Sequence, residues 1–115
     1  MKICIIESPF AARTHKGKTY SIEENKLYLQ KCLRHAIYDG FAPFASHQMY
    51  TDCLDDDIPA ERELGMSLVT PFLQHADHVR VYCDRGISSG MEYGIAAARS
   101  LGLRVYEFKL WRDDK

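Results

Sequence analysis

The chain alternates four short apolar runs with longer amphipathic stretches, and this order is its most restrictive feature. Continuous apolar runs of roughly four to eight residues are typical of strands that are buried on both faces of a sheet. Strands that alternate with helices favour a parallel sheet covered by helices on both sides. The sequence therefore predicts a single Rossmann-like α/β domain over residues 1–115, with strands at Lys2–Ile6, Phe41–Ser46, His78–Cys83 and Leu103–Phe108.

Three helices are predicted between these strands. Ser21 and Glu24 form an S-x-x-E capping box, which indicates a helix start. Pro71 should kink the second helix or divide it in two, because proline cannot donate a backbone hydrogen bond. The predicted bounds are Ile22–Tyr38, Pro59 to about His75, and Met91–Leu101. The residues predicted to face the core are Leu27, Cys32, Leu33, Ala36 and Ile37, then Leu64, Leu68, Phe72 and Leu73, and finally Ile95, Ala96 and Ala98.

Two segments between these elements are predicted to be irregular. Residues 8–21 are rich in glycine, serine and threonine and are expected to form a loop. Residues 47–58 are polar with isolated apolar side chains and are expected to form an ordered excursion at the ligand side of the sheet.

Composition excludes several classes of protein. The formal net charge of −1 argues against binding to duplex nucleic acid or to an anionic membrane. No stretch approaches the roughly 18 apolar residues of a membrane span, and the first apolar run is too short for a signal peptide. The four cysteines contain no C-x-x-C pair. We therefore expect a reducing, cytoplasmic setting, with no zinc cluster and no other metal or organic cofactor.

Polar side chains collect where the predicted strands end. In open parallel sheets, ligands bind beyond the carboxyl ends of the strands. The loops expected to meet at that edge contain Glu7, Ser8, Arg13, His47, Asp84, Ser88, Ser89 and Glu92.

The stretch DRGISSGMEYG follows the third predicted strand and opens the last helix. Gly86 and Gly90 permit a tight turn and a close approach of the backbone to a ligand. Backbone N–H groups at the helix start, with the hydroxyls of Ser88 and Ser89, suit an anion. Glu92 is either a first-turn acid favoured by the helix dipole or a ligand contact.

The segment SSGMEYGIAAA, preceded by HADHVRVYCD, resembles the nucleophile segment of the nucleoside 2-deoxyribosyltransferase-like superfamily. The segment IIESPF is similar to the first strand and turn of that fold, and the deoxynucleoside monophosphate N-glycosidases share a similar nucleophile segment. The likeness is greatest to small phage- and prophage-type members of unassigned function. The resemblance implies a protein that binds a nucleoside, a nucleotide or a nucleotide-derived signal.

The resemblance also implies roles for individual residues. Glu92 matches the glutamate that attacks the anomeric carbon in catalytic members, and Asp84 and His47 would handle protons or sugar hydroxyls. Val69 stands where those enzymes commonly place an aspartate that helps the base to leave, so the acid is left open among Asp84, His47, Glu61 and Glu63. The residues expected to contact the ligand are Ser8, Pro9, Phe10, Arg13, Tyr50, Arg62, Gly86, Ser88, Ser89, Gly90 and Met91.

The leading hypothesis is cleavage or transfer of an N-glycosidic bond, and two other classes stay open beside it. One is a non-catalytic nucleotide sensor or sequestering protein, and the other is a domain whose oligomer interface is its function. Met49, Tyr50, Leu54 and Ile58 give the excursion more apolar surface than a free loop exposes. We therefore expect a homo-oligomer built from two-fold dimers.

Overall fold

The computed structural model describes residues 2–111, in which helices flank a four-stranded parallel sheet. The sheet order is β4-β1-β5-β6, and all three neighbouring pairs are parallel. The predicted α/β class and parallel sheet are therefore confirmed. In chain order the elements are β1 (Ile3–Glu7), β2 (Arg13–His15), β3 (Lys18–Tyr20), α1 (Ile22–Tyr38), β4 (Ala42–Phe44), α2 (Ser46–Tyr50), α3 (Pro59–Ser67), α4 (Val69–Leu73), β5 (His78–Tyr82), α5 (Ser89–Ser100) and β6 (Arg104–Phe108).

The sheet carries a buried cluster on each face. The cluster beneath α1 includes Cys4, Ile6, Tyr28, Leu29, Cys32 and Ala36. The cluster on the opposite face includes Ile5, Val69, Leu73, Val79, Val81, Met91 and Ala98. Because side chains alternate along a strand, the last residue of β1, Glu7, falls on the same face as Ile5. That face is the one covered by α4 and α5.

Helix α1 begins at the predicted capping box. The Ser21 hydroxyl accepts a hydrogen bond from the Glu24 backbone N–H at 3.1 Å, and the Glu24 carboxylate accepts one from the Ser21 N–H at 2.9 Å. The predicted bounds are confirmed, but the predicted apolar face is partly wrong. Leu27 and Ile37 are exposed, whereas Tyr28 is buried with Cys32 beneath the helix. The apolar spacing is compatible with more than one buried face of α1. Packing on the sheet buries the face that carries Tyr28 and Cys32.

The predicted helix from Pro59 to His75 is two helices that meet at Leu68. Division in two was one of the predicted outcomes, and it is confirmed, with Pro71 lying in the first turn of α4. The predicted buried side is wrong for Leu64 and Phe72, which are exposed. Val69, the first residue after the break, is buried in the core instead.

The segment predicted as a loop contains an antiparallel hairpin of β2 and β3. Its two-residue turn is Lys16-Gly17, and both residues have positive φ, 51° and 80°. This conformation matches the twist of a two-residue hairpin, and glycine adopts it without steric cost. The hydroxyls of Thr14 and Thr19 form a cross-strand hydrogen bond of 2.9 Å.

Arg80 is the largest fully buried side chain of the described residues. It lies on β5, and its guanidinium is 4.7 Å from the ring centroid of Phe41 and 4.4 Å from that of Phe108. It donates hydrogen bonds to the Asp39 carboxylate at 2.5 Å and to His78 Nε2 at 3.0 Å. Burial, together with the Arg80 charge, lowers the pKa of His78, so this imidazole is the neutral acceptor that Arg80 requires.

We expect Arg80→Ala to lower the free energy of unfolding by about 2–3 kcal/mol, because it leaves a void between two aromatic rings. Asp39 is more than half exposed, so Asp39→Asn removes an ion pair without leaving a void and should cost clearly less. Urea denaturation of both variants measures the two losses. Equal losses would show that the ion pair, rather than the packing, stabilises this end of the sheet.

Candidate functional site

A cavity lies at the carboxyl edge of the sheet, between the end of β1, helices α2 and α3, and the start of α5. This is the edge at which a ligand site was predicted. The polar side chains that line it are Glu7, Ser8, Ser46, His47, Tyr50, Thr51, Asp56, Arg62, Ser88, Ser89 and Tyr93. The apolar lining comes from Phe10, Ala11, Met66, Val69 and Met91, with Gly90 and Gly94 of α5.

Glu7 is the buried carboxyl of this cavity, and 7% of the residue is exposed. Burial raises its pKa to about 8. Among the described residues, no basic side chain and no hydrogen-bond donor pairs with it. Its carboxyl lies against Gly94 of α5, where an added Cβ would collide with the carboxyl oxygens. Gly94 therefore leaves the space in which Glu7 is held as a neutral acid at pH 7.

Ser8 and His47 add two further buried polar groups. Ser8 is 3% exposed, and its hydroxyl has no hydrogen-bond partner in the part of the chain that the structure describes. The His47 Nε2 likewise has no partner there, and burial lowers the pKa of His47 to about 4. Buried polar atoms are nearly always hydrogen-bonded, and unsatisfied ones are costly. Together with Glu7 they are neutral groups available to a ligand.

The start of α5 forms a second part of the lining. Ser88 caps the helix, and its hydroxyl accepts a hydrogen bond from the Met91 N–H at 3.3 Å. The Arg62 guanidinium donates to the Ser89 hydroxyl at 3.2 Å and to the Asp56 carboxylate at 3.2 Å. Arg62 thus joins α3 to the first turn of α5. A cation beside a helix N-terminus suits an anionic group.

Most of the predicted ligand contacts are brought together in this cavity. The predicted residues that line it are Ser8, Phe10, His47, Tyr50, Arg62, Ser88, Ser89, Gly90 and Met91. Those that do not line it are Pro9, Arg13, Gly86, Asp84 and Glu92. Gly86 is a turn residue with φ of 81°, packed beside His15 and Arg13 of the hairpin, which explains the glycine without a ligand.

The Asp84 carboxylate connects elements of the fold through hydrogen bonds. It accepts a hydrogen bond from the Tyr28 hydroxyl at 2.6 Å and from the Leu110 backbone N–H at 3.0 Å. These contacts tie the segment after β6 to α1 and the β5–α5 turn. Its predicted part in handling protons or sugar hydroxyls therefore has no support from its position.

Glu92, the predicted nucleophile, is exposed in the first turn of α5. Glu92 does not line the cavity, although Ser89, three residues before it on α5, does; Gly90 and Gly94, which also line it, are each about 160° from Glu92 around the helix. Its predicted role stays a prediction. Glu7 was placed at the ligand edge but given no role by the sequence reasoning, although its alternation with Ile5 at the end of an apolar strand was a usable signal.

Other expectations concern metals, membranes and assembly. Across residues 2–111, no three His, Cys, Asp or Glu side chains are grouped as a metal site would require. The same residues contain no helix with the length and hydrophobicity to cross a membrane. Met49 and Ile58 are exposed, whereas Tyr50 packs on Gly65. The predicted two-fold dimer stays a prediction.

The raised pKa of Glu7 has a consequence for stability. Its ordinary value is 4.5 and its value in the fold is about 8, so binding of the proton favours the folded state. This contribution is fully present below about pH 4.5 and is lost as the pH rises to about 8, at up to ~1.4 kcal/mol per pH unit. Glu7→Gln removes it. We expect the variant to gain stability relative to the unchanged protein across that range.

Chemical denaturation of both proteins at a series of pH values measures this difference. His47 titrates with the opposite sign, because its lowered pKa adds stability as the pH rises from about 4 to 6.5. It is present in both proteins and cancels in the comparison. Two pH curves that stay parallel from pH 4.5 to 8 would mean that Glu7 is ionised in the fold.

Comparison with known proteins adds a family but no activity. No curated protein and no solved structure matches the chain. A family model described as a domain of unknown function, DUF7768, matches residues 2–108. The match spans all eleven helices and strands described above. The chain therefore belongs to the DUF7768 family.

Proposed function

We propose that the cavity binds a nucleoside or a nucleotide and that the protein cleaves or transfers its N-glycosidic bond. The observation that carries this proposal is the buried, unpaired carboxyl of Glu7 in a cavity that also contains a helix N-terminus and Arg62. The sequence resemblance to nucleoside 2-deoxyribosyltransferases points to the same class of reaction.

Glu7 would supply the proton for the departing base. When the bond from C1′ to the base nitrogen breaks, its electron pair stays on the base, which leaves readily only if a proton reaches it. An acid with a pKa of about 8 is protonated at pH 7 and close enough to that pH to release its proton. In hydrolysis, water adds to C1′ and its proton returns to the Glu7 carboxylate. Val69 lines the cavity where the resembling enzymes place an aspartate, and Glu7 offers an acid from β1 instead.

A carboxylate must also stabilise the positive charge that develops on the sugar. Asp56 lines the cavity, and its pairing with Arg62 keeps it beside the start of α5. Glu92 is exposed and does not line the cavity. The geometry therefore supports Asp56 better than Glu92 for this part.

The start of α5 would hold a phosphate or sugar oxygens. Backbone N–H groups of the first turn and the Ser89 hydroxyl lie beside the Arg62 guanidinium. Such an arrangement binds an anion through the helix dipole and through charge-assisted hydrogen bonds. A 5′-phosphate is the anionic group of a nucleotide that matches it.

A non-catalytic nucleotide-binding protein is the second candidate, and the positions of Glu92 and Val69 favour it. The two positions that carry the catalytic carboxylates in the resembling enzymes are here an exposed glutamate and an apolar side chain. A protein of this kind would keep the cavity and bind the same ligands without releasing a base. Binding measurements and product analysis separate the two candidates.

We expect Glu7→Gln to slow base release by at least ~100-fold, because the amide keeps the shape of the carboxyl but has no acidic proton. Chromatography of reactions with a panel of nucleosides and nucleoside monophosphates measures the free base. Glu23→Gln is the matched control, since Glu23 is exposed on α1 and does not line the cavity. It should retain full turnover.

Two further variants in the same assay identify the second carboxylate. Loss of turnover in Asp56→Asn alone supports Asp56, whereas loss in Glu92→Gln would support the nucleophile predicted from the motif. Undiminished base release by Glu7→Gln would refute the proposed acid. Binding without base release in the unchanged protein would favour the non-catalytic candidate.

Gly90→Ala tests where the ligand lies without changing any charge. A Cβ at Gly90 would meet no atom within 4 Å, so the substitution fits the fold and should stabilise α5 by roughly 0.5–1 kcal/mol. The same methyl group occupies space next to the cavity lining, so we expect nucleotide affinity to fall several-fold. Thermal unfolding and ligand titration measure the two effects. Unchanged affinity would place the ligand away from the start of α5.

A further inference from the structure

We propose that Glu7 makes this site selective for adenine-type bases, in which an amino group stands beside the ring nitrogen that accepts the proton. This inference rests on the proposed function and names the base that the site would take. It follows from the hydrogen-bonding capacity of the buried carboxyl, which is held in place by α5 and has no partner among residues 2–111.

A protonated carboxyl carries one O–H donor and one carbonyl acceptor side by side. On the purine edge that contains N7, adenine presents the N7 acceptor next to the N6 amino donor, whereas guanine presents two acceptors, N7 and O6. When the Glu7 O–H donates to N7, its carbonyl oxygen faces the neighbouring group on position 6. An amino group there gains a second hydrogen bond, and an oxo group meets a repelling lone pair.

The rest of the lining agrees with a neutral heteroaromatic ring. The Ser8 hydroxyl and the His47 Nε2 are buried and without hydrogen-bond partners in the described chain, and the lowered pKa of His47 keeps its imidazole neutral. Phe10 and Tyr50 line the same cavity and offer aromatic surface. A base is the part of a nucleotide that carries no charge and can use all of these groups, while the anionic part is left to Arg62 and α5.

The preference depends on the charge of Glu7, so the groups around Glu7 matter. Arg62 and Asp56 pair with each other at 3.2 Å. Burial lowers the pKa of His47 to about 4 and raises the pKa of Tyr50 above its ordinary value, so neither side chain changes its charge as Glu7 titrates near pH 8. Above about pH 8 Glu7 is ionised and has no O–H to donate. Its carboxylate would then repel N7, so adenine-type ligands should bind less tightly. The titratable and charged groups facing Glu7 are His47 and Tyr50 of α2, Asp56, Arg62 of α3 and Tyr93 of α5.

The test is isothermal titration with 2′-deoxyadenosine and 2′-deoxyinosine, two ligands that share the purine ring and N7 and carry an amino or an oxo group at position 6. Chromatography of the same samples accounts for any base released. At pH 6.5 we expect 2′-deoxyadenosine to bind at least about tenfold more tightly. Its affinity should fall as the pH rises through about 8.

Two variants assign the preference to Glu7. The amide of Glu7→Gln still offers a donor beside an acceptor, so it should keep the preference at every pH and lose the decline above pH 8. Glu7→Leu should lose the preference. The exposed control Glu23→Gln should behave as the unchanged protein.

The outcomes separate this inference from the proposed function. Equal affinity for the two nucleosides at pH 6.5, or a preference that survives in Glu7→Leu, overturns the inference alone. Failure of both nucleosides and their 5′-monophosphates to bind overturns the proposed function as well.

Discussion

Burial of the Glu7 carboxyl at the end of β1 is the constraint on which the site depends. The alternation of side chains along β1 places Glu7 above Ile5, and α5 closes over it at Gly94. An ionised carboxylate there would lose its hydration without gaining a cation, so the proton is retained and the pKa rises to about 8. Burial of the acid lowers the stability of the fold at neutral pH, and it keeps a proton on Glu7 beside the cavity. Strongly shifted acids in clefts are typical of functional sites.

The polar groups around Arg80 and those in the cavity differ in how they are paired. On the face of α1, Arg80 is stacked between two aromatic rings and hydrogen-bonded to Asp39 and His78. In the cavity, Ser8 and the His47 Nε2 have no partners in the described chain. A satisfied polar cluster stabilises and orients elements, whereas an unsatisfied buried group costs stability unless a ligand pairs with it. This contrast supports the assignment of Arg80 to the fold and of the cavity to binding.

Much of the architecture was predictable because it depends on signals that lie close together in the chain. Apolar runs, the Ser21–Glu24 capping box and the interruption by Pro71 located the strands of the sheet and its principal helices. The predictions that were wrong concern which face of a helix is buried, and packing against the sheet decides this. Leu27 and Leu64 have apolar neighbours at helical spacing, yet the helix phase chosen by contact with the sheet leaves both exposed. The site was predictable as an edge of the sheet, since eight of the predicted ligand contacts and His47 line one cavity. The desolvation that makes Glu7 an acid depends on α5 covering it, and no local pattern contains that information.

The contrast between Glu92 and Glu7 follows from the phase of α5. Met91 and Ala98 are buried against the sheet, and this fixes the rotation of the helix about its axis. Gly90 and Gly94 then face the cavity, whereas Glu92, about 160° from each around the helix, is exposed and does not line it. A motif records which residues are adjacent in sequence, but adjacent residues of a helix differ in direction by about 100°, and the packing of the helix decides which of them meets a ligand. Gly94 belongs to the same motif and faces inward. Because it has no side chain, the Glu7 carboxyl occupies the space beside it. In this chain, the helix that carries the motif therefore contributes room for an acid that the neighbouring strand supplies.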